Sequence, residues 1–578
     1  MGMVGRRLAL AFLVACCAGL GVPALAGAFS PTRDRETHLL SRSIHGGFPN
    51  GPSRNGAFSQ DNQAASLAAF ESDASDIVRG DTNGLTDVFV VHRGGRFSGS
   101  GGEPWEPAST QLASRGLGGA PANGRSWLPD LDGDAVHGHP HCVAFVSDAS
   151  NLVPGDANGK PDAFVYDLRT GRTTLVSVDS HGAQSDGATY DVKIDGGCTR
   201  VAFTSDADNL ALTSTKSARA RPLVTKAPPP GTKQVYVHAL NGGGDNSGLG
   251  KVTFLASASD HGVPGNGDSH DVSLGKIGDA CPPSRCHASS GDSVSFTSDA
   301  NNLTGGDGNG QPDVYQRTFR LSRDPTARHG GGTLRLLVHT RLVSATSSGA
   351  AGNGASTHPA QNDDGQYVAF ETAASNLLPG DGNHVSDVAL RGMWGRAQRM
   401  QFVSRGRETG PGNRGSFRPT ITRPASIVFY ESDASNLQPR PARHGHYADR
   451  NCMRDIFFWN TTSHTASLQS RDSDQSILNL PEASGAGGDC PPVIAGGSSH
   501  AAASYYGNYF LFESSYPLID LPLAHTGLPS VPVIGRLVTP VLAATRSNDD
   551  PSLHQVYLRY NGPRSDSSHY PRSRWPLP

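Results

Sequence analysis

One loop sequence recurs along this 578-residue chain and constrains its fold more than any other feature. The segment SDASNLVPGDANGKPDAFVYD begins at Ser147, close copies begin at Ser72 and Ser298, and looser copies begin at Thr372 and Ser432. The chain is longer than a domain with a single core usually is. Internal repetition indicates that one structural unit is used many times.

Each repeat predicts four short strands. A polar segment comes first, an apolar segment such as CVAFVS second, an alternating segment such as DAFVYD third, and a fourth ends near LVS. The 70 glycines and 40 prolines favour turns over long helices. Seven units are counted from the aromatic residue just before each loop: Phe70, Phe145, Phe203, Phe296, Phe370, Tyr430 and, in a degenerate copy, Phe512. We therefore predict an all-β fold, a seven-bladed β-propeller of four-stranded blades over residues 30–563, with six or eight blades as the competing count.

The seventh repeat lacks a fourth strand after HQVYLRY. The segment RETHLLS, Arg35–Ser41, has the right ending, and a strand borrowed from the N-terminus would close the ring without an open edge. The first strands, which offer mostly Ser, Thr, Asn and Asp, are predicted to line the channel. Long loops between blades and between second and third strands would share one face, the predicted working surface.

The two ends of the chain predict export and a tail. Arg6 and Arg7 precede an apolar run that ends in Ala24-Leu25-Ala26, so residues 1–26 read as a signal peptide. A membrane anchor and a lipid anchor at Cys16 are the alternatives. Export predicts a secreted or cell-envelope protein, and residues 564–578 are predicted to be disordered. The net charge of -3, without a basic run, argues against nucleic-acid binding.

Six cysteines would remain after signal cleavage, and an even number in an exported chain favours disulfides. The predicted pairs are Cys142–Cys198, Cys281–Cys286 and Cys452–Cys490. A second interpretation applies around Cys142, because His137, His139 and His141 would share one face of an extended segment and could bind zinc or copper. A solvated insertion, on the face opposite the repeated loop, is the simpler reading.

The repeated loop contains the pattern D-x-N-G-x-x-D, which has two interpretations. Carboxylates and an amide carbonyl in a tight turn suit calcium, whereas Asp and Asn also cap turns and Gly adopts positive φ. The spacing is shorter than that of an EF-hand and lacks its bidentate glutamate. The candidate calcium ligands are Asp81, Asn83, Asp87, Asp156, Asn158, Asp162, Asp307, Asn309, Asp313, Asp381, Asn383 and Asp387; Asp449, Asn451 and Asp455 keep the spacing only.

Two further segments carry a family resemblance. They resemble the TolB-like, WD-repeat-like bacterial β-propeller repeat. One is DDGQYVAF followed by DVALRG, and the other is CVAFVS followed by DAFVYDLRTGRTTLVS. The resemblance covers about Thr37 to Tyr560. It implies the propeller fold and either an exported binding protein or the propeller half of a peptidase. TolB itself has an N-terminal α/β domain with no counterpart here, so a role in its complex is not implied.

The sequence favours binding over catalysis. No G-x-S-x-G nucleophile motif occurs, and no segment is left for a separate hydrolase domain. We therefore expect a non-catalytic scaffold that binds a protein, peptide or glycan on its loop-rich face. The alternative is a propeller-type hydrolase or lyase with its site at the channel mouth. A cluster of His, Arg, Tyr and carboxylates at the start of the first strands would favour that alternative.

Overall fold

Seven antiparallel four-stranded sheets make up the described part of the protein. The computed structural model describes residues 37–61, 65–94, 105–133, 139–210, 224–240, 252–275, 292–323, 334–394, 398–406, 410–437, 453–470, 497–504, 509–515 and 554–560. Within these residues the only helical element is a 3-10 turn at Leu117–Gly119. The predicted signal peptide, the tail and the pairs Cys281–Cys286 and Cys452–Cys490 lie outside them.

In each sheet, strands that follow one another in sequence are neighbours, so each repeat forms one blade. Strand β1 (Thr37–Leu39) precedes the first blade. Blades 1 to 3 are β2 (Ser53–Phe58), β3 (Leu67–Ser72), β4 (Asp87–Gly94), β5 (Glu106–Leu112); β6 (Ser126–Leu131), β7 (Cys142–Ser147), β8 (Asp162–Asp167), β9 (Arg172–Leu175); and β10 (Thr189–Ile194), β11 (Arg200–Ser205), β12 (Gln234–Ala239), β13 (Thr253–Leu255).

The later blades repeat the arrangement. Blades 4 to 7 are β14 (Ser269–Leu274), β15 (Asp292–Ser298), β16 (Asp313–Arg323), β17 (Leu334–Leu342); β18 (Ser356–Gln361), β19 (Tyr367–Thr372), β20 (Asp387–Gly392), β21 (Met400–Phe402); β22 (Ser416–Ile421), β23 (Ile427–Ser432), β24 (Asp455–Asn460), β25 (Thr465–Leu468); and β26 (Ser498–Ala503), β27 (Tyr509–Ser514), β28 (Gln555–Tyr560) with β1. The predicted seven-bladed propeller is therefore confirmed.

The aromatic residue that marks each repeat is the centre of its blade. All seven are completely buried, and six face an aromatic ring on the third strand at centroid distances of 5.6 to 6.0 Å. In blade 5 the third strand presents Ala389 opposite Phe370. Aromatic pairs across neighbouring strands stabilise a sheet beyond the area they bury.

Strand β1 closes the ring, as predicted. It pairs antiparallel with β28, with Leu39 opposite Tyr557, and becomes the outermost strand of blade 7. The next residues extend the contact, since Ser41 Oγ donates to Gln555 Oε1 at 2.8 Å. The closing strand is shorter than the predicted segment Arg35–Ser41, whose first two residues lie outside the described chain.

The innermost strand of each blade contacts the innermost strands of both neighbours, so the seven first strands surround a central channel. These strands begin at the face where the second strands end. The repeated loops and the loops between blades therefore share this face, which we call the upper face.

On the lower face, Arg423 of blade 6 extends across the channel. Its Nε lies 2.7 Å from Asp363 Oδ1 and 2.9 Å from Gln60 Oε1, in blades 5 and 1. Its Nη2 donates at 2.5 Å to the carbonyl of Gly133, in blade 2 on the far side of the ring. The side chain is almost fully buried, so one guanidinium ties four blades together and narrows the lower end of the channel.

Candidate functional site at the upper face

The Asn of the repeated loop binds the loop to the next blade. In blade 2, Asn158 Nδ2 donates to Asp162 Oδ2 at 2.8 Å and to the Ser185 carbonyl, in the following inter-blade loop, at 3.0 Å. Its Oδ1 accepts from the Lys160 N–H at 2.9 Å, which fixes the orientation of the amide. The same bonds occur at Asn83–Asp87, Asn309–Asp313 and Asn383–Asp387.

The last Asp of the loop fastens the third strand to the fourth. Ser177 Oγ donates to Asp162 Oδ1 at 2.5 Å and accepts from the Ala163 N–H at 3.1 Å. Burial raises the pKa of this carboxyl to about 6, although hydrogen bonds from Ser177, Gln184 and Asn158 oppose the change. Burial likewise raises the pKa to about 6 for Asp87 and to about 7 for Asp313 and Asp387.

In blades 3 and 7 one glutamine makes the hydrogen bonds that the Asp and the Asn make elsewhere. This explains why the loops of these two blades lack the motif. Gln234 Oε1 accepts from Ser257 Oγ at 2.6 Å, and its Nε2 donates to the Gly265 carbonyl at 3.3 Å. Gln555 likewise accepts from Ser41 and donates to the Gly51 carbonyl at 3.1 Å. One carboxamide thus replaces the carboxylate of the Asp and the amide of the Asn. In blade 6, Asp455 keeps its bond to Ser470, while Asp449 and Asn451 lie outside the described residues.

The first Asp of the loop bears on the calcium prediction. Asp81 Oδ1 and Asp307 Oδ1 are buried and have no hydrogen-bond partner among the described residues. Asp156 differs, because Gln184 Nε2 donates to its Oδ1 at 2.7 Å. Burial raises the pKa of Asp81 and of Asp381, the equivalent residue in blade 5. A cation would offset the burial of two neighbouring carboxylates, so this donor set fits calcium best in blades 1 and 4. Calcium binding by the twelve residues stays a prediction.

The first residues of the repeated loop are hydrogen-bonded to the preceding inter-blade loop. In blade 2, Asn123 of the inter-blade loop donates through its N–H to Asn151 Oδ1 at 3.0 Å and through Nδ2 to Ser150 Oγ at 2.9 Å. Ser150 of the repeated loop donates in return from its N–H to Asn123 Oδ1 at 2.9 Å. The inter-blade loops within the described residues are therefore held from both neighbouring blades. This explains why the chain repeats the loop and makes the upper face a fixed platform.

At the channel mouth, the innermost strands carry a bulge. In six blades the third residue of the strand has a positive φ, between 43° and 53°: Asn55, Leu128, Asp271, His358, Arg418 and His500. The register with the second strand shifts at the same point. This conformation is uncommon for residues other than glycine, and bulges of this kind re-aim side chains.

Carboxylates of the preceding blade hold five of these bulges by accepting from their backbone N–H. The acceptors are Glu513 for Asn55 (2.6 Å), Glu71 for Leu128 (2.8 Å), Asp271 for His358 (3.4 Å), Glu371 for Arg418 (3.3 Å) and Glu431 for His500 (2.9 Å). The four glutamates come from the same place, the next-to-last residue of the second strand. The structure thus uses them as links between blades.

Cationic side chains lie above these carboxylates on blades 5 to 7. The side chains of His358, Arg418 and His500 are 40%, 44% and 38% exposed, whereas those of Glu431 and Glu513 are 0% and 4% exposed. Arg418 Nη1 donates to His500 Nε2 at 3.0 Å, while His500 Nδ1 lies 3.3 Å from Glu513 Oε2. The positive groups therefore face the channel mouth and the negative groups lie beneath them.

The ion pairs shift the pKa values of their members. The hydrogen bond to Glu371 raises the pKa of His358, and the hydrogen bond to Asp271 raises that of His270. Burial disfavours the charged form of His500, but the bond to Glu513 and the charge of Glu431 outweigh it, so its pKa is raised. Burial would raise the pKa of Asp271, yet His270 and His358 lower it to about 2.

The opposite side of the mouth is aromatic. Trp127 and Tyr190 are the second residues of β6 and β10. The Arg125 guanidinium lies 5.4 Å from the Trp127 ring, and Lys233 Nζ lies 4.5 Å from the Tyr190 ring. A third aromatic ring, Phe417, occupies the equivalent position in blade 6, where the Arg454 guanidinium lies 4.4 Å from it.

Sequence analysis found the repeated loops but missed the channel mouth. Ser and Thr do occupy the first position of the innermost strands, and the chemically varied residues follow at the second and third positions. The signal that could have revealed them is a His or Arg two residues after that Ser, paired with a Glu before the SD loop. Of the predicted histidine cluster, His139 and His141 lie on the lower face and His137 lies outside the described residues.

No family model matches the chain, and no curated protein matches its sequence. Among solved structures, the chain is similar to an oligogalacturonate lyase in complex with manganese, at 10% identity and a TM-score of 0.41 over 92% of this chain and 97% of that one. It is also similar to an oligogalacturonate lyase from Vibrio parahaemolyticus, at 11% identity and a TM-score of 0.39 over 91% of this chain and 97% of that one. The similarity to TolB from Acinetobacter baumannii has 11% identity and a TM-score of 0.29 over 72% of this chain and 62% of that one.

Proposed function

We propose that this protein is an exported, non-catalytic β-propeller that binds a partner protein, peptide or glycan at the channel mouth of its upper face. The observation that carries the proposal is the contrast between a uniform frame and a varied ring. Equivalent hydrogen bonds, from an Asp–Asn pair or from one glutamine, fix the loops of six blades, whereas the third residue of the innermost strand is Asn, Leu, Asp, Asp, His, Arg and His in blades 1 to 7. A rigid frame with varied side chains is how propellers and other scaffolds present binding residues.

The charges at the mouth favour an anionic group on the partner. The exposed tips of His358, Arg418 and His500 are cationic or can become so, and guanidinium groups bind carboxylates and phosphates well. The neighbouring glutamates accept hydrogen bonds from the backbone, so they also stabilise the frame. The predicted signal peptide and the Cys142–Cys198 disulfide support a location outside the cytoplasm. Among the described residues, no helix is long and apolar enough to cross a membrane.

Binding can be tested with labelled protein on printed arrays of acidic and neutral peptides and glycans. The double variant Arg418→Gln/His500→Gln should lose the acidic ligands that the wild type retains. Arg169→Gln is the matched control, since Arg169 lies in an exposed turn of the lower face. Wild-type retention of neutral ligands alone, or equal loss in the control, would refute the proposed site.

Calcium is the second part of the proposal, because bound calcium would stiffen the upper face. The melting temperature should be higher in calcium than in a chelator. Each occupied site should add about 2.7 kcal/mol to the free energy of unfolding when free calcium is at a hundredfold excess over Kd. The rise should shrink in Asp81→Ala/Asp307→Ala, which removes the two carboxylates whose buried Oδ1 has no hydrogen-bond partner. It should persist in Asp156→Ala, whose carboxylate already accepts from Gln184. An equal rise in all three proteins would place calcium elsewhere.

Two observations favour the alternative of a hydrolase or lyase. The first strands do carry the cluster of His, Arg, Tyr and carboxylates that we expected of an enzyme, since His358, Arg418 and His500 lie beside buried glutamates at the channel mouth. His500 lies between Glu513 at Nδ1 and Arg418 at Nε2, an arrangement in which a carboxylate orients an imidazole next to a cation. Mass spectrometry of each array ligand after incubation distinguishes the two functions. A cleaved or eliminated product that disappears in His500→Gln would establish catalysis, and unchanged bound ligand would establish binding.

A further inference from the structure

The disulfide on the lower face has two other metal-binding side chains beside it. Cys142 begins β7 in blade 2, and Cys198 lies in the turn before β11 in blade 3. Asp132 and His141 belong to the same group, and one ligand atom of each of the four residues lies within 4.8 Å of all the others. Two cysteines, a histidine and an aspartate form a donor set typical of tetrahedral zinc.

The carboxylate and the imidazole are close enough to bind one ion, although His141 Nδ1 also lies 3.1 Å from the His139 carbonyl and would have to give up that contact. Asp132 Oδ2 lies 3.2 Å from His141 Nδ1, and two ligands on tetrahedral zinc are separated by about 3.3 Å when they are oxygen and nitrogen. Asp132 Oδ1 accepts from the backbone N–H of His141 at 2.8 Å and of Cys142 at 2.9 Å. These bonds orient the carboxylate from outside the site, as partners of metal ligands usually do.

The cysteine backbones also suit a shared ion. The two Cα atoms are 6.0 Å apart, so two thiolates about 3.8 Å apart around one zinc need movement of the side chains rather than of the blades. We propose that reduction of the Cys142–Cys198 disulfide converts this group into a zinc site that joins blades 2 and 3 in place of the disulfide. The proposal goes beyond the proposed function and does not depend on it, because the site is on the face opposite the channel mouth.

The conversion needs a dithiol reductant. That molecule supplies two electrons and two protons, so its own sulfurs close into a disulfide while the Cys142–Cys198 bond breaks into two thiols. Zinc then binds the two sulfurs as thiolates, and the two protons are released to solvent. His141 and Asp132 complete the coordination.

The test uses the full exported chain, oxidised or reduced with dithiothreitol, incubated with Zn²⁺ and then freed of excess metal and reductant. Elemental analysis should find one more zinc per reduced wild-type chain than per oxidised chain. The reduced variant Cys142→Ser/Cys198→Ser should lack that zinc, which separates this site from the other cysteines. Circular dichroism confirms that each protein stays folded during the measurement.

His141→Ala provides the sharper comparison, because it leaves the disulfide and both thiols in place. Its reduced form should bind zinc at least about tenfold more weakly, and Co²⁺ in the same site should lose its tetrahedral absorption while thiolate absorption remains. His139→Ala, a neighbouring histidine outside the group, should change neither. No additional zinc in the reduced wild type, or equal affinity in His141→Ala, would overturn the proposal.

Discussion

The pH dependence of stability tests the clamp formed by Asn309 and Asp313 in blade 4. Asp313 is fully buried, and burial raises its pKa to about 7 from an ordinary value of 3.8, against the hydrogen bonds from Ser344 and Asn309. The perturbation is Asn309→Gly/Asp313→Gln, which copies the arrangement that Gln234 forms in blade 3. The variant keeps an acceptor for Ser344 and a donor for the next loop but removes the titrating group.

The sign follows from the direction of the shift. Because the folded pKa lies above the unfolded one, the stability that Asp313 contributes is present below pH 3.8 and is lost as pH rises through about 7. The full difference between pH 3.8 and about 7 corresponds to about 4 kcal/mol, of which about 2.7 kcal/mol lies above pH 5. After halving for solvent screening we use about 1.3 kcal/mol between pH 5 and pH 8. For a chain of this size, that amounts to about 1 °C in melting temperature.

The assay is thermal unfolding of the wild type and the variant from pH 5 to pH 8 in a chelator. The wild type should lose about 1 °C more than the variant as pH rises. The raised pKa values of His270, His358 and His500 act in the same direction, but they are common to both proteins and cancel in the difference. Identical pH slopes, or a wild type that gains stability relative to the variant as pH rises, would refute the argument.

Three further predictions concern the frame of the propeller. Arg423→Met should lower stability by about 3 to 5 kcal/mol in denaturant unfolding, because it removes the guanidinium that forms an ion pair with the nearly buried Asp363; a loss below about 1 kcal/mol would show that the crossing guanidinium is dispensable. Cys142→Ser/Cys198→Ser should cost about 4 kcal/mol, since the disulfide closes a separation of 56 residues, and an unchanged melting temperature under oxidising conditions would contradict it. Leu39→Ala should cost about 2 to 5 kcal/mol, because Leu39 is fully buried in the seventh blade; an effect typical of an exposed residue would refute the closure by β1.

Much of the fold could be predicted from the sequence, because the information that specifies a blade is local and repeated. The alternation of apolar residues, the aromatic residue before each loop and the Gly-rich turns are all within one repeat. The absence of a fourth strand in the seventh unit was enough to predict that the N-terminal segment closes the ring. The Cys142–Cys198 pair was predicted only as a bond between neighbouring repeats, and the structure contains it.

The role of the repeated loop could be predicted only in part. The Asp and Asn residues were found by their pattern, but their partners, such as the Ser185 carbonyl and Ser177, come from other loops and strands. Comparing the repeats by residue type does not reveal that Gln234 is equivalent to an Asp–Asn pair, because the equivalence depends on which side-chain atoms accept and donate hydrogen bonds. The calcium prediction likewise depends on unpartnered oxygens that only packing reveals.

The channel mouth and the lower-face cluster were decided by tertiary structure. His358, Arg418 and His500 are separated by about sixty to eighty residues, and no local pattern shows that successive blades bring them side by side. Their exposure above buried glutamates arises from the bulge in the innermost strand, which turns the third residue toward the opening. The sequence by itself therefore determined the blades and favoured seven of them with an N-terminal closing strand, since strand periodicity and turn residues are local. The structure decided the count against six or eight. Only the closed ring decided which side chains meet at its centre, since those contacts join residues from different repeats.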